Sequence, residues 1–471
     1  MKDCVDLIVI GAGPGGLAAA TEAARSGLSV LVLDEQPVPG GQIWRSVESV
    51  SNSPAGDILG PEYQRGAERV AAFRASGAAY ESNIRVWQIE PGWTVFASRG
   101  NEARSYQAKR ILLATGAQER PVPFPGWTTP GVMTVGAAQI LLKSSREIPD
   151  EPVWIAGSGP LPLLYVAQLL RAGGSVAGWL STTPKGALER AIPHFVSASK
   201  GWRDLLKGFK WMREIARSHV HIEKSVAGLR ALAGEDGKLE QIEYTTAAGV
   251  KRSERTRLLL VHEGVVPSIH ITQALGCRHD WDDSQHCFAP HVDEWGRTSV
   301  AGIFVAGDGA GIGGAAAATT RGEIAAIAIA ADTGHMSPAD AERLAAPLRH
   351  RLSEELAVRG LLDAIYKPRK EIFAPADETI VCRCEELTAG EIRTAAVSGR
   401  PSADRIKSIT RAGMGPCQGR QCGYTVMNII AAAHGCRTAD VGFYRIRPPL
   451  KPLTLGELAS LDDVGNDRAT V

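Results

Sequence analysis

The sequence predicts an α/β fold in which two dinucleotide-binding βαβ units precede a small, mainly helical domain built on cysteines. Three observations predict it. A glycine-rich loop, Gly11-Ala12-Gly13-Pro14-Gly15-Gly16, stands between an apolar strand and a helix. A related loop, Gly157-Ser158-Gly159-Pro160-Leu161-Pro162, occupies the same setting further on. Four cysteines, Cys382, Cys384, Cys417 and Cys422, read C-x-C, a gap of 32 residues, then C-x4-C.

The first unit spans residues 1–35. Residues 6–10 read as a strand, 17–26 as an alanine-rich helix and 28–33 as a second strand ending at Asp34. Gly11 permits the tight turn, Gly13 the approach of the backbone to a pyrophosphate, and Gly16 close helix–strand packing. Pro14 and Gly15 open the helix, whose free N–H groups favour phosphate. Asp34, with Glu35 beside it, stands where a carboxylate can accept hydrogen bonds from a ribose diol. Strand, loop, helix, strand and acid in this order are a far stronger signal than the loop alone.

Later segments favour a flavin dinucleotide, FAD. Residues 36–60 read as loop, and within them Pro39-Gly40-Gly41-Gln42 offers flexible backbone just past the acid. Thr115-Gly116 ends a buried strand at 110–116. Gly307-Asp308 ends a strand at 303–308, before a small-residue helix at 313–332. That aspartate suits the ribityl hydroxyls. Pro121, Pro123, Pro125 and Pro130 mark a crossing between domains.

The second unit keeps two glycines, but its third is Pro162, and the ribose position is Leu180. With neither an acid for NAD nor a base for NADP, this unit is read as having lost ordinary NAD(P)H use. It is left with another nucleotide or a shaping role. No C-x-x-C occurs, and Cys277 and Cys287 sit in no redox motif, so disulfide reductase chemistry is disfavoured.

Two close pairs of thiolates suit a [2Fe–2S] cluster or a tetrahedral zinc, and residue spacing leaves both open. Glycines 413, 415, 419 and 423 free the backbone to aim N–H groups at sulfur. Arg383, Arg411 and Arg420 are placed to offset the negative charge of such a centre.

Composition sets bounds. A chain of 471 residues has room for several domains. The net charge of +1 implies no nucleic-acid partner. The apolar run at 5–10 is too short for a signal peptide, and no stretch approaches the roughly 18–20 apolar residues of a membrane span. Cysteine usage points to a reducing, cytoplasmic setting. Residues 198–217 form a basic amphipathic helix, read as a surface helix with its apolar side in the core in preference to an interface. His262 and Glu263 are read as structural, not catalytic.

The first unit and the segments that complete it resemble the two-dinucleotide-binding flavoproteins, which include glutathione- and thioredoxin-reductase-like enzymes. The resemblance covers about residues 1–335. It implies two Rossmann-like domains: a discontinuous FAD domain at 1–125 and 290–335, and a degenerate NAD-like domain at 126–289. A helical connector follows at 336–376. Residues 377–436 resemble the bacterioferritin-associated-ferredoxin-like (BFD-like) [2Fe–2S] domain, whose usual last spacing is C-x2-C, so C-x4-C is a departure. Residues 437–471, with Arg447-Pro-Pro-Leu-Lys-Pro452, read as a docking tail.

The variant cysteine spacing, Val261-His-Glu-Gly-Val-Val-Pro267 and the proline-rich tail resemble one branch of these proteins. It holds the A (α) subunits of opine oxidases, D-hydroxyproline dehydrogenases and hydrogen cyanide synthase. The resemblance implies FAD and a [2Fe–2S] cluster here. It also implies two kinds of partner: an FAD-dependent, D-amino-acid-oxidase-like β subunit, joined in some assemblies by a small [2Fe–2S] γ subunit. An interfacial FMN, and membrane association through the complex or a quinone acceptor, are further expectations. The chain is then an electron-transfer subunit with no catalytic residue for substrate chemistry. The alternatives are a self-sufficient NAD(P)H:acceptor reductase and a non-catalytic assembly or redox-sensing subunit.

Overall fold

A computed structural model describes residues 4–51 and 53–461. The N-terminal sheet has five parallel strands in the order Ala79–Glu81, Val30–Leu33, Val5–Ile10, Glu102–Leu113 and Ile303–Val305. Leu7, Ile8 and Val9 are wholly buried, as expected for a parallel strand covered on both faces. The long strand Glu102–Leu113 also carries two antiparallel strands, Thr94–Arg99 and Arg85–Glu90. The last strand, Ile303–Val305, comes from far along the chain and pairs with Ile111–Leu113. This sheet is therefore closed by two separated parts of the sequence.

Helices Pro14–Arg25 and Ala315–Asp332 pack against each other on one face of this sheet. Their approach needs glycine. A Cβ on Gly322 would lie 2.1 Å from the Gly15 carbonyl oxygen, and one on Gly16 would lie 1.9 Å from that of Gly11. The stretch at 36–60 is not all loop, because short helices form at Val47–Val50 and Pro54–Leu59. Val47, Val50 and Leu59 supply the reason: they bury their side chains in the core beside Trp44.

The second sheet is wholly parallel: Ile222–Lys224, Val176–Ser181, Val153–Ser158, Leu259–Glu263 and Val132–Thr134. A two-stranded ribbon, Ala117–Glu119 against Val265–Pro267, runs between the two units. The cysteine region is mainly helical, with helices Ala389–Ala396, Ala403–Thr410 and Gly423–His434. Its core is continuous with that of the second unit, so Tyr424 and Cys382 share one cluster with Leu180 and Val261.

The tail crosses to the first sheet. Leu450 N–H donates to the Trp87 carbonyl (2.8 Å), and Ala103 N–H donates to Ser460 Oγ (2.8 Å). The last ten residues of the expected docking tail, 462–471, lie outside the described residues.

One expectation is overturned. The basic amphipathic helix runs from Trp202 to Arg217, and its apolar side is not in the core. Trp202, Leu206, Phe209 and Met212 are exposed, and Ile215 alone among its residues is buried. The apolar periodicity is real, but the face turned to the protein is lined by Lys207, Trp211 and Glu214, which border a cavity and not a core.

Candidate functional site

A cavity of about 1960 Å³ runs through the middle of the molecule. It exceeds the ~300–1,000 Å³ of ordinary small-molecule sites, as an extended dinucleotide requires. Of the residues singled out from sequence, Gly11, Gly13, Pro14, Gly15, Asp34, Glu35, Gly41, Gln42, Thr115, Gly116, Gly307 and Asp308 all line it. Gly16 stands behind it, where its missing side chain lets the helix close on Gly11.

The strand ends position these groups. Asp34 Oδ2 accepts the Ala12 N–H, and Oδ1 accepts the Gln36 N–H at 2.6 Å. The acid thus fixes the glycine loop while facing the cavity. Burial raises its pKa, although both backbone donors oppose the shift. Asp308 Oδ1 accepts the N–H groups of Gly313 and Gly314, each at 2.9 Å, and so anchors the loop that opens the long Ala315–Asp332 helix. A Cβ on Gly15 would meet Ala318 O at 3.0 Å and Gly307 Cα at 3.1 Å. Two helix N-termini and three glycine segments therefore converge with no side chain between them, a cradle that fits a pyrophosphate-bearing flavin dinucleotide.

The second loop is built differently. Pro162 lies in the first turn of helix Pro160–Arg171, where a proline is tolerated, and is buried. Leu180 is fully buried, so an apolar core side chain fills the ribose position. His262 faces this loop, 3.5 Å from where a Gly159 Cβ would lie. Its Nδ1 is 2.7 Å from Glu119 Oε1, not paired with Glu263, whose Oε1 accepts from Arg369 Nε at 2.6 Å.

The Cys382 and Cys422 thiols are neighbours, the Cys384 and Cys417 thiols are neighbours, and Cys417 is near enough to Cys422 to act on it electrostatically. Backbone N–H groups of Gly413, Cys384 and Glu385 serve Cys382, and those of Gln421 and Gly419 serve Cys417. The Cys422 contact and these backbone donors bring the Cys382 thiol down to about 6. Among the described residues no three His, Cys, Asp or Glu side chains converge as the ligands of one metal ion. A set of four thiols placed in this way fits a [2Fe–2S] cluster or a tetrahedral zinc.

The cysteine loop meets the cavity directly. Arg383, Arg420 and Gln421 line it. Gln118 Nε2 donates to the Arg420 carbonyl (3.1 Å), and His270 Nε2 lies 3.1 Å from the Gln418 carbonyl. Burial and the nearby Arg420 charge lower the His270 pKa to about 3, so at neutral pH it is an uncharged donor.

Sequence reasoning missed three groups here. Lys143 is buried, and its Nζ donates to the Gln42 carbonyl (3.1 Å) and to Gln139 Oε1 (2.9 Å). Glu119 pairs with His262 across 143 residues. Lys451 of the tail lies 2.7 Å from Glu35. Apolar flanks gave Lys143 a faint signal; the other two pairings are tertiary and left none.

The fold and its first glycine unit define an oxidoreductase of the dinucleotide-binding flavoprotein class. Residues 5–334 match the model of the pyridine nucleotide-disulphide oxidoreductase family, and residues 376–461 that of the sarcosine oxidase A3 domain. The chain is 43% identical to the A subunit of opine oxidase from Rhizobium meliloti, over 97% of this chain and 98% of that one. It is 31% identical to hydrogen cyanide synthase subunit HcnB of Pseudomonas aeruginosa, over 96% and 98%. Among solved structures, L-proline dehydrogenase from P. horikoshii has the same fold, with a TM-score of 0.70 and 19% identity over 97% of this chain and 79% of that chain. The chain belongs to the pyridine nucleotide-disulphide oxidoreductase family, in the branch that holds the A subunits of opine oxidases.

Proposed function

We propose that this chain is the FAD- and [2Fe–2S]-dependent electron-transfer subunit of a multi-subunit enzyme that oxidises C–N bonds in amines or imino acids. One observation carries the reading: a single cavity joins the first glycine loop to the loop between Cys417 and Cys422. Gly13, Asp34 and Asp308 would hold FAD, and the four cysteines the cluster. A bound flavin accepts electrons in pairs and releases them singly to a one-electron carrier. The chain's own residues supply position and insulation. Asp34 and Asp308 fix the two loops, and Gln118 and His270 pin the cysteine loop beside the crevice.

We place substrate oxidation in a separate FAD-containing β subunit. The subunit designations of the relatives support an assembly of this kind, and a small [2Fe–2S] γ subunit belongs to the same proposal. Leu180 and Pro162 support a chain that does not use NAD(P)H. No helix among the described residues is long and apolar enough to cross a membrane. The test is an anaerobic visible spectrum of the purified chain before and after NADH and then NADPH. Flavin bands that neither nucleotide bleaches are expected. Rapid bleaching by either would make the protein a nicotinamide-dependent reductase.

A further inference from the structure

Among the described residues nineteen large apolar side chains are exposed, and eight of them fall between residues 188 and 212: Leu188, Ile192, Phe195, Val196, Trp202, Leu206, Phe209 and Met212. Concentration in one segment is unlike the scatter of single apolar residues found on ordinary surfaces. The last four line one side of the Trp202–Arg217 helix, with Phe209 60% exposed. At about 1.5 Å per residue, those sixteen residues give a ridge about 24 Å long. The other four crown the short helical turns that lead into it.

The unpaired charge on the Trp202–Arg217 helix has one sign. Asp204 is taken up by Lys207 (2.7 Å) and Glu214 by Arg171 (2.7 Å). Arg203, Lys210, Arg213 and Arg217 are exposed among the apolar residues, Lys210 at the rim of the central cavity, and among the described residues none of them forms an ion pair. Arg203 lies over the Trp202 ring instead. A protein interface is depleted of charge at its centre and needs a matched acid for each buried cation. An anionic bilayer surface satisfies both components together: apolar side chains enter the acyl boundary while the long cationic stems reach back to headgroup phosphates.

We propose that this ridge docks the protein on an anionic lipid surface. The inner side of the same helix, through Leu205, Gly208 and Trp211, borders the central cavity. Docking therefore brings the wall of the redox cavity against the bilayer, with no spanning segment.

The test is flotation of the full-length chain with phosphatidylcholine vesicles and with vesicles that also contain phosphatidylglycerol. Two double variants accompany it, Leu206→Ser/Phe209→Ser and Lys210→Glu/Arg213→Glu. All four side chains are exposed, so the thermal midpoint checks that each variant is folded. The chain is expected to float with anionic vesicles only. Binding should fall by about fivefold for each cation removed, and with rising salt. The apolar variant should lose insertion while the cations remain. Absence of flotation with either vesicle, or variants that bind as the unaltered chain does, would overturn the proposal. It would also be overturned if vesicle binding is absent and the apolar variant separates this chain from a co-purifying subunit, since the ridge is then a subunit interface.

Discussion

Gln118 donates its side-chain N–H to the carbonyl of Arg420, 3.1 Å away, and Arg420 stands between Cys417 and Cys422. This bond joins the strand leaving the first dinucleotide unit to the cysteine loop, across 302 residues of sequence. Gln118→Leu leaves the Arg420 carbonyl without this partner. We expect a loss of about 1 kcal/mol in stability, with flavin content unchanged and slower flavin-to-cluster transfer. Thermal unfolding and stopped-flow absorbance check the two parts separately.

Gly16→Ala places a methyl 1.9 Å from the Gly11 carbonyl oxygen, which is backbone and has nowhere to go. We expect a cost of about 1–3 kcal/mol from overpacking and a protein isolated largely without flavin. The flavin-to-protein absorbance ratio measures it. Gly208→Ala is the control within another helix, since a Cβ there meets nothing within 4 Å.

Cys384→Ser removes one ligand from one of the two cysteine pairs. Iron and acid-labile sulfide should fall to a small fraction of the starting content, while flavin stays bound, because Cys384 lies outside the glycine cradle. Metal analysis with the visible spectrum checks both. Retention of iron would remove Cys384 from the ligand set.

Lys143 supplies a pH dependence. Burial, with some help from Arg45, lowers its amine from 10.5 to about 7. Between these values the unfolded chain binds a proton that the native chain does not, so stability rises with pH across that window. Below about pH 7 both states are protonated, and the cost of the buried cation is present in full. Lys143→Met should flatten this rise, which for one group is at most about 1.4 kcal/mol per pH unit. Chemical denaturation at pH 7, 8 and 9 measures it.

How much of this was legible in sequence depends on how local each signal is. The loop from Gly11 to Gly16, the acid at Asp34 and the Asp308 segment are short motifs, each fixed by a neighbouring strand end, and all of these segments meet at one cavity. Leu180 was legible as a departure because its position is counted from its own loop. The Trp202–Arg217 helix shows the limit. Its apolar spacing specifies a helix with two unlike faces, but not which face the protein covers, since that depends on Glu62 and Arg171 reaching Lys207 and Glu214 from elsewhere in the chain. The Glu119–His262 and Lys451–Glu35 contacts join residues 143 and 416 positions apart, which no local pattern encodes.

Electron passage between a flavin in the glycine cradle and a cluster on the four cysteines is open to direct measurement: the flavin of the anaerobic chain is reduced photochemically, by less than one equivalent, and flavin absorbance is followed beside freeze-quenched electron paramagnetic resonance. A reduced two-iron signal is expected to grow as flavin reoxidises, and Cys384→Ser is expected to abolish that signal. A chain that holds zinc, or a cluster that is reduced equally fast in flavin-free protein, would contradict such passage.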